Sequence, residues 1–409
     1  MPLCLGWVGL GLLAAYVSAS PENAADSHHR VARGVTRALL PLHALFALQL
    51  LPLPEAALRH LSPGAHAAHF LPDPLDGRFR PLSVSPGATI EAWFYVAALQ
   101  GLFLAVQGLR RPHRRTGLLV LATSAAALSA EGLWQSRSEH PYFLYGRIPT
   151  YSPQGLETST YGPYYNRNHF ATVTAMGAGL SAGMAARIGL AAGGLRGLLT
   201  SRSGLPATVT LVGLAGFLSL ASAASGSRSG ALAALVGLAV VGLRAFGRGG
   251  FVAVLLLGGT LGLIAGPASV ERLAHLDLEA SRWRPWLDMT VLFRFFWAFG
   301  TGIGAFGAAY WPYQRNATYE FWQHAHNEYL EWLLEGGILG VLVLIAVLAF
   351  LRRYLRLEDE CREALAGAIS VVLVQSLLDF PLRIPANAAF LVCALALSVG
   401  PRETRQRGV

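Results

Sequence analysis

This chain of 409 residues contains no lysine: all 32 residues in its count of lysine and arginine are arginine. A GC-rich genome explains that bias without any functional reason. Cysteine occurs only three times, as Cys4, Cys361 and Cys393, far apart and in or beside apolar runs. This spacing supports neither a disulfide framework nor a zinc or iron–sulfur site. No basic stretch is interleaved with aromatic residues as in nucleic-acid binders, so we expect no nucleic-acid partner.

Charged residues are also scarce, at 13% of the chain against 53% hydrophobic residues. That balance exceeds what a soluble domain of this size tolerates on its surface. It predicts an all-α integral membrane protein in which residues 1–409 form a single polytopic domain. A window of about 19 residues finds about eleven transmembrane helices. They lie near 2–18, 38–54, 91–109, 116–134, 170–186, 206–223, 230–243, 250–267, 338–351, 364–378 and 386–399.

The arginines divide the connections between these helices into two sets. Connections within 20–37, 110–115, 187–204, 244–250, 352–362 and the tail from 400 are rich in arginine, which the positive-inside rule assigns to the cytoplasm. The alternate connections, 55–90, 135–169, 224–229, 268–337 and 379–385, are then periplasmic or extracellular. Residues 268–337 form a large loop between late helices. Residues 1–20 end like a secretory signal but lack a positive n-region, which favours a retained helix.

Asparagine is rare, yet three of its six copies, Asn166, Asn168 and Asn327, lie beside a histidine in two outer stretches. Tyrosines crowd the same side, in the 135–169 connection. Amide and aromatic side chains suit sugar rings, whose hydroxyls need donors and acceptors and whose apolar faces stack. The alternative is an aromatic belt at the bilayer interface with turn-forming asparagines.

Arginine on the outer side runs against the charge bias, so three outer arginines close to predicted helix ends are candidates. Arg228 stands in the small-residue turn from Ser225 to Gly230, Arg282 lies four residues before Trp286, and Arg383 stands alone in 379–385. Guanidinium binds phosphate in bidentate fashion at any working pH, and the turn at Arg228 is of a kind that grips phosphate. The alternatives are snorkelling side chains at the interface or an ion pair such as that of Asp379 with Arg383.

We expect His326 to begin the helix that leads into the 338–351 segment. A neutral imidazole is the natural base for a hydroxyl nucleophile near pH 7, whereas the alternative is a structural histidine. A metal site at His324 and His326 has no third ligand at a familiar spacing. The glycine-rich run from Gly300 to Phe306 follows no strand, so it predicts a tight turn rather than a nucleotide site.

The order of these motifs resembles one family, the O-antigen ligase and O-antigen polymerase-like membrane proteins. The resemblance runs from about residue 80 to about 390. It rests on five stretches: 165–171 (YNRNHFA), 227–232 (SRSGAL), the Arg282–Trp286 pair, 300–306 (GTGIGAF) and 324–337, which starts HAHNEYL and ends EGG.

The resemblance implies a fold of the GT-C type in the bacterial inner membrane, with the site on the periplasmic face and much of it in the 268–337 loop. The donor would be a polyprenyl-pyrophosphate-linked glycan and the acceptor a sugar hydroxyl of lipid A core or another glycan, with no metal or cofactor. His326 would be the catalytic base, and Arg228 and Arg282 would hold the pyrophosphate. Secondary substrate contacts would come from Tyr165, Asn168, His169, Asn327 and Arg383.

Other functions remain open at this point. A repeat-unit polymerase and a protein O-oligosaccharyltransferase share this chemistry and differ in the acceptor. A transporter of lipid-linked sugars belongs to another class and needs charges at the bilayer midplane, which the predicted helices almost lack. The net charge of +9 suits arginine-rich flanks facing anionic membrane lipid.

Overall fold

A computed structural model of the chain describes residues 26–70, 79–108, 112–137, 161–264, 280–314 and 322–401. Of these residues, 81% are helical, which confirms the prediction of an all-α architecture. The predicted helix at 2–18 lies outside the described residues.

Fourteen α-helices occur in the described part of the chain, and we number them in order. They are α1 (Asp26–Leu50), α2 (Glu55–Leu61), α3 (Pro63–Phe70), α4 (Pro86–Gln107), α5 (Pro112–Gln135), α6 (Arg167–Ala191), α7 (Leu195–Thr200), α8 (Gly204–Ala224), α9 (Arg228–Ile264), α10 (Ala280–Phe296), α11 (Phe306–Tyr310), α12 (Glu328–Tyr354), α13 (Arg362–Gln375) and α14 (Pro385–Ser398). Short 3-10 turns lie at Trp311–Tyr313, Asp359–Cys361 and Pro381–Arg383. Four strands of two or three residues are β1 (Pro52–Leu53), β2 (Arg80–Pro81), β3 (Leu355–Leu357) and β4 (Val399–Pro401).

Six of these helices are long and apolar enough to cross a membrane, within the part of the chain that the structure describes. They are Arg30–Leu50, Pro86–Gln107, Arg114–Gln135, Gly204–Ala224, Arg228–Gly259 and Glu328–Tyr354. The chain is therefore a multi-pass membrane protein, and the total of about eleven spans stays a prediction. The predicted segments 170–186, 364–378 and 386–399 fall largely in α6, α13 and α14, which are shorter or less apolar than these six.

The described residues divide into two compact units. The first unit takes the described residues within 26–108, 280–356 and 399–401. Beyond its long apolar helices it has a separate core formed by α2, α3, α10, α11 and the start of α12, centred on Leu58, Leu292, Phe296, Phe306 and Tyr310. The connections 55–90 and 268–337, which are predicted to lie on the outer side, are thus folded in their described parts, because they bury apolar side chains against one another.

The second unit takes the described residues within 112–264 and 357–398, and its central helix is α6. Gly179 of α6 lies against the backbone of Gly367, and Gly183 lies against that of Ala364 in α13. Small residues let helices approach closely in a membrane, where apolar burial alone does not drive association. Because α5, α8, α9 and α13 all pack around α6, this helix needs less apolar character than a lipid-facing span.

Helix α9 contains two helical segments that fold back on each other. Its backbone leaves helical geometry at Gly247, whose φ is 67°. Gly258 lies against Leu235, and Gly242 lies against the backbone of Gly250, so the two segments run antiparallel. This hairpin matches the prediction of two apolar segments, 230–243 and 250–267, joined by a short arginine-bearing connector.

Candidate functional site

The most constrained histidine of the first unit is His326, in the turn before α12. Its φ is 51°, which makes it the one described non-glycine residue in the left-handed region. Asn327 follows as the N-cap of α12, with Oδ1 accepting a hydrogen bond from Leu330 N at 3.0 Å. The His326 ring meets Trp322 edge to face, with centroids 5.5 Å apart. Strained conformations of this kind persist only where the surroundings hold them, and they concentrate at functional sites.

Two buried groups hold the peptide just before His326. Glu331 has no exposed surface, and its Oε2 accepts a hydrogen bond from Ala325 N at 2.8 Å. Trp286 Nε1 donates to the carbonyl of Ala325 at 2.7 Å. The other oxygen of Glu331 lies 2.8 Å from Nδ1 of His324. The turn is therefore fixed on both sides of His326, by Asn327 after it and by Glu331 and Trp286 before it.

The predicted tight turn at 300–306 is present, and it supports the start of α12. Thr301 N donates to the carbonyl of Leu334 at 3.0 Å, and Gly302 N donates to that of Glu335 at 3.1 Å. The buried carboxylate of Glu335 accepts a hydrogen bond from Phe306 N at 3.0 Å. The two glycine-bearing stretches that carried the family resemblance thus bind each other through their backbones.

Arg282 lies in the first turn of α10, one helical turn before Trp286. Its side chain is outside the described residues, so its role stays a prediction. Asp288 of the same helix accepts a hydrogen bond from Tyr310 Oη at 3.0 Å. Burial, reinforced by this hydrogen bond and the charge of Asp288, raises the pKa of Tyr310, so the phenol remains a donor at working pH.

In the second unit, two helices begin side by side at Arg167 and Arg228. Asn166 caps α6 through Oδ1, which accepts from Asn168 N at 2.8 Å, and Ser227 Oγ caps α9 by accepting from Gly230 N at 3.1 Å. A Cβ on Gly230 would meet that of Ala171, so the first turns of the two helices touch. Both arginines are exposed, and Nη1 of Arg167 lies 3.7 Å from the position that a Cβ of Gly226 would take. The patch combines guanidinium groups with two positive helix ends, which suits a phosphate.

A buried polar cluster lies behind this patch. Asn168 and His169, from the first turn of α6, are 9% and 8% exposed. Gln375 Nε2 donates to the carbonyl of Asn168 at 3.4 Å and to Ser229 Oγ at 3.2 Å. His169 Nε2 lies 3.8 Å from Oδ1 of the fully buried Asp379, at a distance too long for a hydrogen bond. As buried residues, Asn168 and His169 are placed to support a site rather than to form its surface.

The remaining predicted residues of this unit lie close by. Asn387 makes two hydrogen bonds here. Its Oδ1 accepts one from Tyr164 Oη at 2.9 Å, and its Nδ2 donates one to the carbonyl of His169 at 3.1 Å. Tyr165, the neighbour of Tyr164, is 56% exposed. Arg383 is half-buried in the turn that follows Asp379. The structure therefore places Tyr165, Asn168, His169, Arg228 and Arg383 in the second unit. It places His326 and Asn327 together in the first unit.

A resident metal ion has no ready set of ligands in the part of the chain that the structure describes. Among those residues, no group of three or more His, Cys, Asp or Glu side chains is placed to hold one.

One family model matches the central part of the chain. It is the model described as O-antigen ligase, and it covers residues 212–345. The match is consistent with an O-antigen ligase-like family and supports glycosyl transfer of the O-antigen ligase and polymerase type in general. It contains Arg228, Arg282, His326 and Asn327, whereas Tyr165, Asn168, His169 and Arg383 lie outside it. A search of the curated proteins finds no match to this chain.

Sequence reasoning missed three residues of the site. Arg167 lies inside one of the family-like motifs, and its place at a helix start was a usable signal. Glu331 could not be singled out because an acid at that position also fits ordinary helix-surface pairing. Gln375 lies 207 residues from Asn168, and no local pattern connects them.

Proposed function

We propose that this protein transfers a glycan from a polyprenyl-pyrophosphate donor to a sugar hydroxyl acceptor, in the manner of an O-antigen ligase acting on lipid A core. The reaction takes place at the periplasmic face of the bacterial inner membrane, in a GT-C-like fold of about eleven spans. The observation that supports this most directly is the His326 turn, because a strained histidine is held from both sides within the stretch that the family model covers.

In this reaction the acceptor oxygen attacks the anomeric carbon, and the bond from that carbon to the pyrophosphate oxygen breaks. The pyrophosphate leaves with the bonding electrons, and the hydroxyl proton passes to an imidazole nitrogen of His326. Attack opposite the leaving group inverts the anomeric configuration. Pyrophosphate is already a good leaving group, so guanidinium groups can stabilise the departing charge without a divalent ion.

For the pyrophosphate we propose Arg228 and Arg282, with Arg167 as a third arginine. Arg167 and Arg228 stand at the touching N-termini of α6 and α9, where the helix ends add to the positive potential. Asn327, Tyr165 and Arg383 contact the glycan or the phosphates. The buried Asn168 and His169 do not contact the substrate but hold the neighbouring residues in place.

The experiment uses purified protein in nanodiscs, a polyprenyl-pyrophosphate glycan and buffer containing EDTA. The acceptor panel contains lipid A core, a glycan repeat unit and a peptide, which separates ligase, polymerase and protein glycosylation. We expect transfer to lipid A core with an inverted anomeric linkage, read by NMR. His326→Ala should lower kcat by about 10² to 10⁴. Arg228→Gln and Arg167→Gln should each lower kcat/KM for the donor by about tenfold to a hundredfold.

Arg202→Gln is the matched control, because Arg202 is an exposed arginine of the second unit far along the chain from the patch. It should behave as wild type. Full activity of a folded His326→Ala variant would overturn the base assignment. Absence of transfer to every acceptor, combined with donor movement across proteoliposomes, would favour a transporter.

A further inference from the structure

Glu331 is a buried carboxylate whose position is not explained by helix capping. The cap of α12 is already provided by Asn327, through its bond from Leu330 N. Glu331, one turn into the helix, reaches back past that cap to Ala325 N and to Nδ1 of His324. Burying a carboxylate costs several kcal/mol unless it is well paired. A glutamine would serve Ala325 N equally well without that cost, so the charge itself needs an explanation.

The explanation lies in the imidazole beside it. The side chain of His324 is 28% exposed, while that of Glu331 is fully buried. Nδ1 faces the buried carboxylate, so the exposed part belongs to the rest of the ring. A buried carboxylate on Nδ1 orients an imidazole, as in catalytic dyads. Two residues along the chain stands His326, whose backbone is held by the same carboxylate through Ala325.

We propose that Glu331 is a positioning residue of the transfer reaction: through Ala325 N and Nδ1 of His324 it fixes the turn that presents His326 to the acceptor hydroxyl. This inference rests on the proposed function. The acceptor proton passes to His326, and Glu331 holds the turn without exchanging a proton itself. Other titratable groups of α10, α11 and α12 include Asp288 and Tyr310, which bond to each other, Glu328 and Tyr329 in the first turn of α12, and Glu335, which bonds to Phe306 N.

The test is Glu331→Gln, which keeps the side-chain size and an acceptor for Ala325 N but removes the charge. We expect kcat to fall by about tenfold to a hundredfold, with the donor KM within twofold of wild type. Glu331→Asp should recover part of kcat. Glu328→Gln, which changes a less buried acid of the same turn, is the matched control and should leave kcat and the donor KM unchanged.

A second measurement needs no transfer activity. Carbethoxylation of His324 and His326 at neutral pH, followed by mass spectrometry, reports each imidazole separately. In Glu331→Gln, His324 should be modified severalfold faster than in wild type, because its Nδ1 loses the charged partner that holds it. If Glu331→Gln does not fold, His324→Gln replaces it, and the same fall in kcat at an unchanged donor KM is expected.

The outcomes separate the two ideas. Wild-type kcat in Glu331→Gln, or in His324→Gln, would overturn the positioning role of Glu331 while leaving the proposed function intact. An inactive wild type, with His324 still modified faster in Glu331→Gln, would overturn the proposed function but retain the pairing of Glu331 with His324. An unchanged rate of His324 modification would overturn that pairing whatever the activity.

Discussion

Single buried polar residues join parts of the first unit that are far apart in sequence. Gln49, at the end of α1, is fully buried. Its Nε2 donates to the carbonyls of Phe299 and Glu335, each at 2.8 Å, and its Oε1 accepts from Ile303 N at 3.0 Å. Three backbone groups thus bond to one side chain. An apolar replacement would remove this partner from Ile303 N and from the carbonyl of Phe299, at about 1–3 kcal/mol each, whereas the carbonyl of Glu335 keeps its bond from Gly302 N.

His69 gives a prediction at the same scale. It lies in α3, where its Nε2 donates to the carbonyl of Ser83 at 3.0 Å. Burial lowers the pKa of His69 below its usual value, although the bond to Ser83 acts in the opposite direction. The folded protein therefore favours the neutral ring, and the unfolded chain binds more protons below about pH 6.5. His69 contributes stability above that pH, and this contribution is lost as the pH falls through the folded pKa.

We expect the thermal midpoint in detergent to drop between pH 7.5 and pH 5.5, and His69→Asn to flatten part of that drop. His60→Asn is the control, because His60 is an exposed histidine of the neighbouring α2 and should not change the slope. Identical slopes for wild type and His69→Asn would show that His69 carries no pH-dependent stability.

At the scale of elements, the turn at 300–306 and the break in α12 belong together. Helix α12 leaves helical geometry at Gly337, and the backbone hydrogen bonds from Ile338 N to Trp297 O, 2.8 Å, and from Leu339 N to Ala298 O, 3.1 Å, fill the interrupted turn. Gly300 has a φ of 74°, and a Cβ there would collide with the backbone carbonyl of Glu335. A backbone atom cannot move aside as a flexible side chain can, so glycine is required at Gly300.

Gly300→Ala should therefore destabilise the protein by about 2–5 kcal/mol, the sum of a left-handed alanine and overpacking against backbone. The expected readout is a lower thermal midpoint together with loss of transfer, since the turn supports the start of α12. Gly216→Ala in α8 is the matched control, because no atom lies within 4 Å of the position that its Cβ would take. It should leave the midpoint unchanged or raise it slightly. Equal midpoints for the two variants would contradict the assigned role of the turn.

Sequence reasoning predicted helical segments correctly where the apolar pattern and the helix-breaking residues indicate the same boundary. The segments 230–243 and 250–267 are separated by a connector with Arg244 and Arg248, and Gly247 is where α9 turns back. The same reasoning missed α2 and α3, because helices of seven and eight residues leave too short a pattern to distinguish from a loop. In the site, His326 and Asn327 were predicted because one local motif holds both. The contact of Gln375 with Asn168 was not, because only tertiary packing creates it.

At the scale of the whole molecule, the proposal requires the arginine patch and the His326 turn to face the same side of the membrane. The charge pattern predicts this, because 224–229 and 268–337 both alternate with the arginine-rich connections and so belong to the predicted outer set. Helix α8 joins the connection after α7 to the turn before Arg228, and the first segment of α9 then runs back to Gly247. The turn before Arg228 and the turn at Gly247 therefore lie at opposite ends of one helical segment.

Single cysteines in a chain whose three native cysteines are replaced by alanine test this arrangement. Gln323→Cys reports the His326 turn, Ala223→Cys the arginine patch and Thr200→Cys the predicted cytoplasmic side, and all three positions are exposed. A membrane-impermeant maleimide should label the first two in intact spheroplasts and the third only after permeabilisation. In the proposed reaction the donor is lipid-linked and the acceptor proton passes to His326, so both groups must meet the same aqueous face. Labelling of Gln323→Cys and Ala223→Cys from opposite sides would rule out one shared site, however active the enzyme proved.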